Sequence, residues 1–313
     1  MNILVTGGAG FIGSHIADAY IREGHRVVVM DNLSSGKREQ VNPQAKFYEM
    51  DIMSPDVENI FKVENIDAIN HHAAQISVTQ SVADPLFDAE INILGSLKLM
   101  KWAQAYNVQK FIFASTGGAL YGEQETYPAD EQHPVRPMSP YGIAKLTVER
   151  YLEFYRDNFG LQPAMLRYAN VYGPRQDPHG EAGVVAIFCK KLIKDQKPVI
   201  FGDGEQTRDF VSVFDVAAAN LTALTQDCRG SYNIGTGAET SVNTITRLIT
   251  KASGKNIQPQ YDPPRMGEQR RSSIDSARFQ EEFGWRPVQP LEEGLKDTFN
   301  YFAEIPAQAI NPG

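Results

Sequence analysis

Two pairs of residues in this sequence could move a proton. Tyr141 and Lys145 stand four apart in Tyr141-Gly142-Ile143-Ala144-Lys145, so on a helix the phenol and the ammonium share one face. A free phenol has a pKa of about 10 and is a poor base at neutral pH. A neighbouring ammonium favours the phenolate and brings it toward the working range of a general base. Ser115 and Thr116 close the apolar run Phe111-Ile112-Phe113-Ala114, and a hydroxyl at such a strand end can relay a proton or polarise a substrate oxygen. Taken alone, each pair is ordinary, because Tyr-x-x-x-Lys arises by chance in amphipathic helices and strand-end hydroxyls often serve as caps.

A glycine-rich segment changes those odds. In Thr6-Gly7-Gly8-Ala9-Gly10-Phe11-Ile12-Gly13 the glycines at 7, 10 and 13 follow a strand and open a helix. Gly7 permits a tight turn, Gly10 lets backbone approach a pyrophosphate, and Gly13 lets helix and sheet pack closely. The helix start then offers unpaired N–H groups and a positive dipole end to phosphate. Asp31, at the end of the next strand, can accept from both adenosine ribose hydroxyls and would repel a 2′-phosphate, which favours NAD over NADP. A structural turn beside a surface aspartate is the plain alternative, but strand, helix and acid coincide here. Asp51-Ile52 and His71-His72-Ala73-Ala74-Gln75 end two further strands, where small alanines would let a dinucleotide lie close. His71 and His72 point to opposite faces of a strand and have no third ligand, so packing and local hydrogen bonds are expected of both.

The elements that must position these groups alternate. Strands are predicted over 2–6, 26–30, 46–50, 66–70, 110–115 and 163–168, and helices over 12–23, 56–63, 86–106 and 141–158. The continuous run Arg26-Val27-Val28-Val29-Met30 suits a parallel strand buried on both faces. This alternation predicts an α/β protein with a doubly wound parallel (Rossmann) sheet. After about residue 172 glycine and proline become denser, as in Gly173-Pro174 and Pro263-Pro264. The expected organisation is a dinucleotide-binding domain over 1–172, a smaller α/β substrate lobe over 173–302, and a tail over 303–313, with segments around 206–232 returning to the first domain.

Composition limits the partners. The 313 residues are 42 % apolar and 22 % charged, ordinary for a globular chain. Thirty basic against 38 acidic residues give a net charge of −8, the wrong balance for a nucleic-acid binder. No run approaches about 18 apolar residues, which argues against a membrane span. Cys189 and Cys228 are the two cysteines, without metal-like spacing. With no basic and apolar leader before the first strand, a cytoplasmic protein is expected.

Gly7/Gly10/Gly13, Ala73-Ala74, Asn92 in Asn-Ile-Leu-Gly, Ser115-Thr116 and Tyr141/Lys145 resemble the extended short-chain dehydrogenase/reductase superfamily. Arg167-Tyr168-Ala169-Asn170-Val171-Tyr172-Gly173-Pro174-Arg175, the segment Phe201–Phe210 and Gly284-Trp285-Arg286-Pro287 resemble its nucleotide-sugar branch, most of all the UDP-glucose 4-epimerases. The resemblance spans residues 2 to about 302. It implies NAD contacts from Gly7, Gly10, Phe11, Ile12, Gly13, Asp31, Asn32, Asp51, Ile52, Ala73, Ala74, Gln75, Asn92 and Tyr168, together with Tyr141 and Lys145. For a UDP-sugar it implies Ser77, Thr116, Tyr141, Asn170, Val184, Phe201, Arg208 and Arg265. Tyr141 would take the 4′-hydroxyl proton, directly or through Thr116 (preferred here over Ser115), and Lys145 would hold the nicotinamide ribose and lower the Tyr141 pKa.

Arg167, Arg175, Arg208, Arg265, Arg270 and Arg271 lie in motif segments of the second half, where a diphosphate needs local guanidinium groups. Dehydratases and decarboxylases resembling this fold place acids directly after the strand-end hydroxyls. Here Gly117-Gly118-Ala119-Leu120-Tyr121-Gly122 follows, and it carries none, which favours epimerisation. A reductase, opposed by Asp31, and a non-catalytic NAD-binding regulator, opposed by the Tyr/Lys pair, are the other readings. The resemblance further implies that Ser272, seven positions after Arg265, takes the place of a gate residue, where a small side chain would leave room for N-acetylated sugars. The resemblance also implies a homodimer formed by helices 86–106 and 141–158.

Overall fold

The computed structural model describes residues 1–178, 183–265 and 269–304. Its main sheet has seven parallel strands. In chain order, β1 (Asn2–Thr6), β2 (Arg26–Asp31), β3 (Lys46–Glu49), β4 (Ala68–His71), β5 (Lys110–Thr116), β6 (Gln162–Tyr168) and β10 (Gly230–Ile234) stand in the spatial order β10-β6-β5-β4-β1-β2-β3. The chain winds outward from β1 to β3, then crosses back to β4 and winds the other way. That reversal opens a crevice beyond the carboxyl ends of β1 and β4, where ligands of doubly wound sheets bind.

Side-chain alternation explains why these strands are apolar throughout. Ile3, Val5, Val27, Val29, Ala68, Ile112, Ala164 and Leu166 face a core built with helices α1 (Phe11–Arg22) and α9 (Val213–Thr225). Leu4, Val28, Met30, Ile69, Phe111, Phe113 and Met165 face the opposite core, against α2 (Val57–Glu64), α5 (Ser96–Ala105) and α7 (Pro140–Phe159). Each fully buried Val, Leu or Ile contributes about 1.5–3 kcal/mol, so both faces of the sheet are held by the same force.

A second unit has its own core around Tyr172, Val185, Phe188, Ile200, Phe210, Ile249, Leu295 and Phe299. It contains a three-stranded sheet ordered β11-β9-β7 and a parallel pair, β12 with β8. Their ranges are β7 (Asn170–Tyr172), β8 (Val199–Phe201), β9 (Thr207–Ser212), β11 (Glu239–Ser241) and β12 (Gln260–Asp262), packed with α8 (Val184–Ile193), α10 (Val242–Ser253) and α12 (Leu291–Glu304). The return to the main sheet is made by α9 and β10; β9, inside the expected return of 206–232, pairs instead with β7 and β11.

Other boundaries also differ. The single helix expected over 86–106 is α4 (Pro85–Ala89), a π-helical stretch Glu90–Gly95 and α5, preceded by α3 (Val78–Ala83). Pro85 has no N–H to donate and so starts α4, with Asp84 capping it through the Phe87 N–H at 3.0 Å. The end of α12 at Glu304 takes the first two residues of the expected tail; 305–313 lie outside the described residues. α7 is capped by Ser139, which accepts from the Gly142 N–H at 3.2 Å, and it ends at Gly160 with φ +72°.

Candidate active site

The glycine turn and the end of β4 meet in the crevice. A side chain at Gly7 (φ +69°) would place its Cβ 2.6 Å from the Ala73 backbone nitrogen, and one at Gly13 would sit 2.3 Å from the Gly7 carbonyl. Only glycine fits at either position, and the start of α1 is thereby pressed against the turn. Asp31 is buried: one carboxylate oxygen accepts from Ala9 N–H at 3.0 Å and the other from Leu33 N–H at 2.8 Å. It therefore fastens the glycine turn to the loop after β2, a second task beside the expected ribose contact. Asn32 donates to Asp51 at 2.7 Å, and Ile52 packs where a Gly95 side chain would stand. A glycine turn open to backbone approach, a helix start above it and a buried acid at the next strand end fit a dinucleotide.

Tyr141 and Lys145 lie on the first turns of α7. The Lys145 ammonium is 5.7 Å from the centre of the Tyr141 ring and donates to the Ala114 carbonyl at 2.9 Å. Burial pulls Lys145 down to about 8, against the carboxylates of Asp88 and Glu149, which raise it. Tyr141 departs from the expected direction: burial, and then Asp88, push its phenol above the usual range. Desolvation of the phenol is the leading cause.

The two strand-end hydroxyls do different things. Thr116 caps the short helix α6 (Gly117–Leu120) by accepting from Ala119 N–H at 3.2 Å, which leaves its own proton to give. A Cβ at Gly142 would meet the Ala119 carbonyl at 2.8 Å, so α6 and the start of α7 touch and the Thr116 turn lies beside Tyr141. Ser115 is buried and donates to Glu149 at 2.6 Å. That bond engages the Ser115 proton, whereas the cap at Thr116 does not use the Thr116 proton.

Behind the pair lies a buried network. Gln75 N–H donates to the Asn92 carbonyl oxygen Oδ1 at 3.0 Å, and Asn92 returns a bond to the Gln75 carbonyl at 2.9 Å. Both side-chain amides also donate to Oδ1 of Asp88, each at 2.9 Å. Asp88 escaped sequence reading; its spacing of four from Asn92 within a helical segment is the trace it left. His71 bridges Thr6 (2.7 Å) and Ser96 (2.9 Å), and His72 meets the Tyr168 hydroxyl at 3.1 Å. Burial lowers His72 to about 3 and His71 well below its usual value, so both stay neutral and structural. Among the described residues no cluster of three His, Cys, Asp or Glu could hold a metal ion.

The second unit supplies the facing wall. Asn170 starts β7, and its Oδ1 would be 3.9 Å from a Gly118 Cβ, an ordinary contact, whereas a Cβ at Gly117 would meet the Ile274 side chain at 2.6 Å. Val184 is the first residue of α8. The Arg265 guanidinium stacks 4.1 Å from the Phe201 ring, and Arg208 in β9 donates to the Thr207 carbonyl at 2.7 Å. Ser77 caps α3, accepting from Gln80 N–H at 3.0 Å. Ser272 is buried beside this wall, its carbonyl accepting from Asp209 N–H at 2.9 Å; Met266, Gly267 and Glu268, between Arg265 and Ser272, lie outside the described residues.

Four other arginines are engaged by carboxylates. Arg167 makes a buried ion pair with Glu149 (2.6 Å), Arg175 pairs with Asp18 (2.8 Å), Arg270 with Asp203 (2.7 Å) and Arg271 with Glu239 (2.5 Å). Of the arginines in the motif segments, Arg167 thus has its fork filled inside the protein.

The sequence profile of the NAD dependent epimerase/dehydratase family matches residues 3–235. A UDP-glucose 4-epimerase of Mycolicibacterium smegmatis is 43 % identical over 308 residues, covering 96 % of this chain and 98 % of its own. The structure of a UDP-glucose 4-epimerase of Thermotoga maritima with UDP-glucose superposes with a TM-score of 0.94 at 51 % identity, covering 96 % and 98 % of the two chains. A UDP-glucose 4-epimerase of Thermus thermophilus in complex with NAD gives 0.93 at 43 % identity, covering 97 % and 100 %. With the seven-stranded sheet, the glycine turn and the Tyr141–Lys145 pair, these matches establish that the chain belongs to the NAD dependent epimerase/dehydratase family.

Proposed function

We propose that this protein is a UDP-glucose 4-epimerase, interconverting UDP-glucose and UDP-galactose through a transient 4-keto sugar. One observation carries the reading: Thr116, with a proton to give, ends β5 beside the helix that opens with Tyr141 and Lys145, and the six residues directly after Thr116, 117–122, hold no carboxylate to expel water or carbon dioxide. The main sheet is assigned the dinucleotide and the second unit the nucleotide sugar. When bound against the glycine turn and Asp31, NAD supplies the acceptor and later the donor of the C4′ hydride.

The chain's own residues do the rest. Tyr141 takes the 4′-hydroxyl proton, directly or by way of Thr116, and gives it back to the other epimer. Lys145 holds the ribose next to the ring that reacts and keeps a positive charge near the phenol. Asn170, Arg208 and Arg265 hold the diphosphate, and Val184 and Phe201 frame the uridine. Anchored by its UDP, the keto sugar turns over and presents its second face.

No helix among the described residues is long and apolar enough to cross a membrane; a cytoplasmic location accords with the two buried thiols. The assembly proposed is a homodimer. Val82, Leu86 and Leu94 from the α3–α5 region and Ile143, Tyr151 and Phe154 on α7 stand exposed on helices that pack together, an apolar face of the kind that a second copy covers.

The test is Tyr141→Phe, which keeps the ring and removes the base. Turnover of UDP-galactose should fall by about 10²–10⁴-fold with UDP binding intact. Near-normal turnover would overturn the assignment.

A further inference from the structure

The buried acid behind the Tyr–Lys pair has a place in the reaction. Asp88 is 1 % exposed. Its Oδ1 accepts from both Gln75 and Asn92, whereas its Oδ2 is buried with no hydrogen-bond partner. A buried carboxylate with an unsatisfied oxygen is costly, and a well-built site tolerates one where a fixed positive charge acts on it. The helix that carries it, α4, packs on α7, which bears Tyr141 and Lys145. Gln75, tied down by Asp88, in turn holds the start of α3 at both ends: its amide donates to the Ser77 carbonyl at 2.9 Å and its carbonyl oxygen accepts from Ser77 N–H at 2.5 Å.

We propose that Asp88 is a positioning residue for the epimerisation, locking the Gln75–Ser77 loop against Asn92 and supplying the counter-charge that keeps Lys145 a cation beside Tyr141. The proposal rests on the assignment of Tyr141 and Lys145 made above. Two features separate it from a purely structural knot. The orphaned oxygen makes no bond that would hold the fold, and the charge is felt by both members of the pair: it raises Lys145 and it raises Tyr141. The remaining charged or titratable groups facing Lys145 are Glu149 on its own helix, His71 at the end of β4 and His72 just after it, both histidines held neutral by burial.

The consequence is a set point in pH. Lys145 must be protonated and Tyr141 must be able to lose its proton, so the active phenolate–ammonium form is bounded on the acid side by the lower of these two ionisations and on the alkaline side by the higher. Asp88 raises both groups, so its charge carries both limbs toward higher pH. Asp88→Asn retains an acceptor for Gln75 and Asn92 and removes the charge; both limbs of the kcat profile should move to lower pH by about one unit. Gln75→Leu keeps the charge and breaks the loop tie; it should lower kcat and leave both limbs in place. If Asp88→Asn lacks a cooperative thermal transition, Asp88→Ser removes the same charge in a smaller side chain and must move the limbs the same way.

Unmoved limbs in the neutral variants, or an equal movement in Gln75→Leu, would overturn the role of Asp88. Tyr141→Phe, assayed alongside, separates the two levels. Retained turnover there would overturn the site reading and this one with it, whereas lost turnover there with unmoved limbs in Asp88→Asn would overturn the role of Asp88 alone.

Discussion

Replacing Gly13 with alanine tests whether the glycine turn is a cofactor cradle or only a tight connection. The new Cβ would lie 2.3 Å from the Gly7 carbonyl oxygen, 2.9 Å from its carbon and 3.0 Å from the Gly8 Cα. Ordinary contact is about 3.5 Å, so turn and helix must part by about 1 Å. The turn has no slack to give. Gly7 is already pressed on Ala73, and Gly8 has the Val29 side chain 2.8 Å from where its own Cβ would be. Overpacking of this kind costs about 1–3 kcal/mol, which is about 5- to 150-fold in affinity if it falls on the bound state. The assay is NAD per protein after gentle purification and denaturing release, followed by titration of the stripped protein. Gly24→Ala is the control: φ is +79° there and nothing lies within 4 Å, so it costs about 1 kcal/mol of backbone strain with NAD content unchanged. Full NAD content in Gly13→Ala, or equal loss in Gly24→Ala, would refute the cradle.

Thr116→Val should lower kcat with little change in melting temperature, because it removes the proton relay and one cap bond. Ser115→Ala should do the reverse, costing about 1 kcal/mol of stability through the lost bond to Glu149 with kcat preserved; the opposite ranking would reassign the hydroxyl. Ser272→Tyr should lower kcat/KM for UDP-N-acetylglucosamine at least tenfold more than for UDP-glucose, since a ring would fill the space an acetamido group needs. Failure of the parent to turn over the acetylated sugars, or their indifference to the tyrosine, would reject the gate.

Features written in local spacing could be read in advance. The glycines at 7 and 13 are each required by a backbone approach within the same turn and its neighbouring strand end, a Cβ at Gly10 would stand 3.2 Å from the Gly7 carbonyl, and Tyr141 and Lys145 share a face through helical geometry alone. Alternation along β5 dictates that Ser115 and Thr116 diverge, but which of them meets Glu149 depends on how α7 lies across the sheet. The arginine partners are remote in sequence: Asp203 for Arg270, Asp18 for Arg175, so no window of sequence shows that these forks are filled. The break in the helix expected over 86–106 follows from Pro85 at one end and from the π-helical stretch that brings Asn92 to Gln75 at the other. Only the first of these is a local property. Tyr141 shifts opposite to the direction its spacing from Lys145 suggests for a related reason: desolvation is set by what packs over a residue and not by its neighbour at i+4.

The central claim is that one hydride leaves C4′ and returns to it, with Tyr141 moving the proton. It is tested most directly with UDP-galactose carrying deuterium at C4′, incubated with the NAD-loaded protein in ordinary water. UDP-glucose should form with the deuterium retained at C4′ and without net consumption of NAD, and Tyr141→Phe should abolish its formation. Product in which solvent hydrogen has replaced the deuterium, or no UDP-glucose at all from the loaded protein, would contradict it.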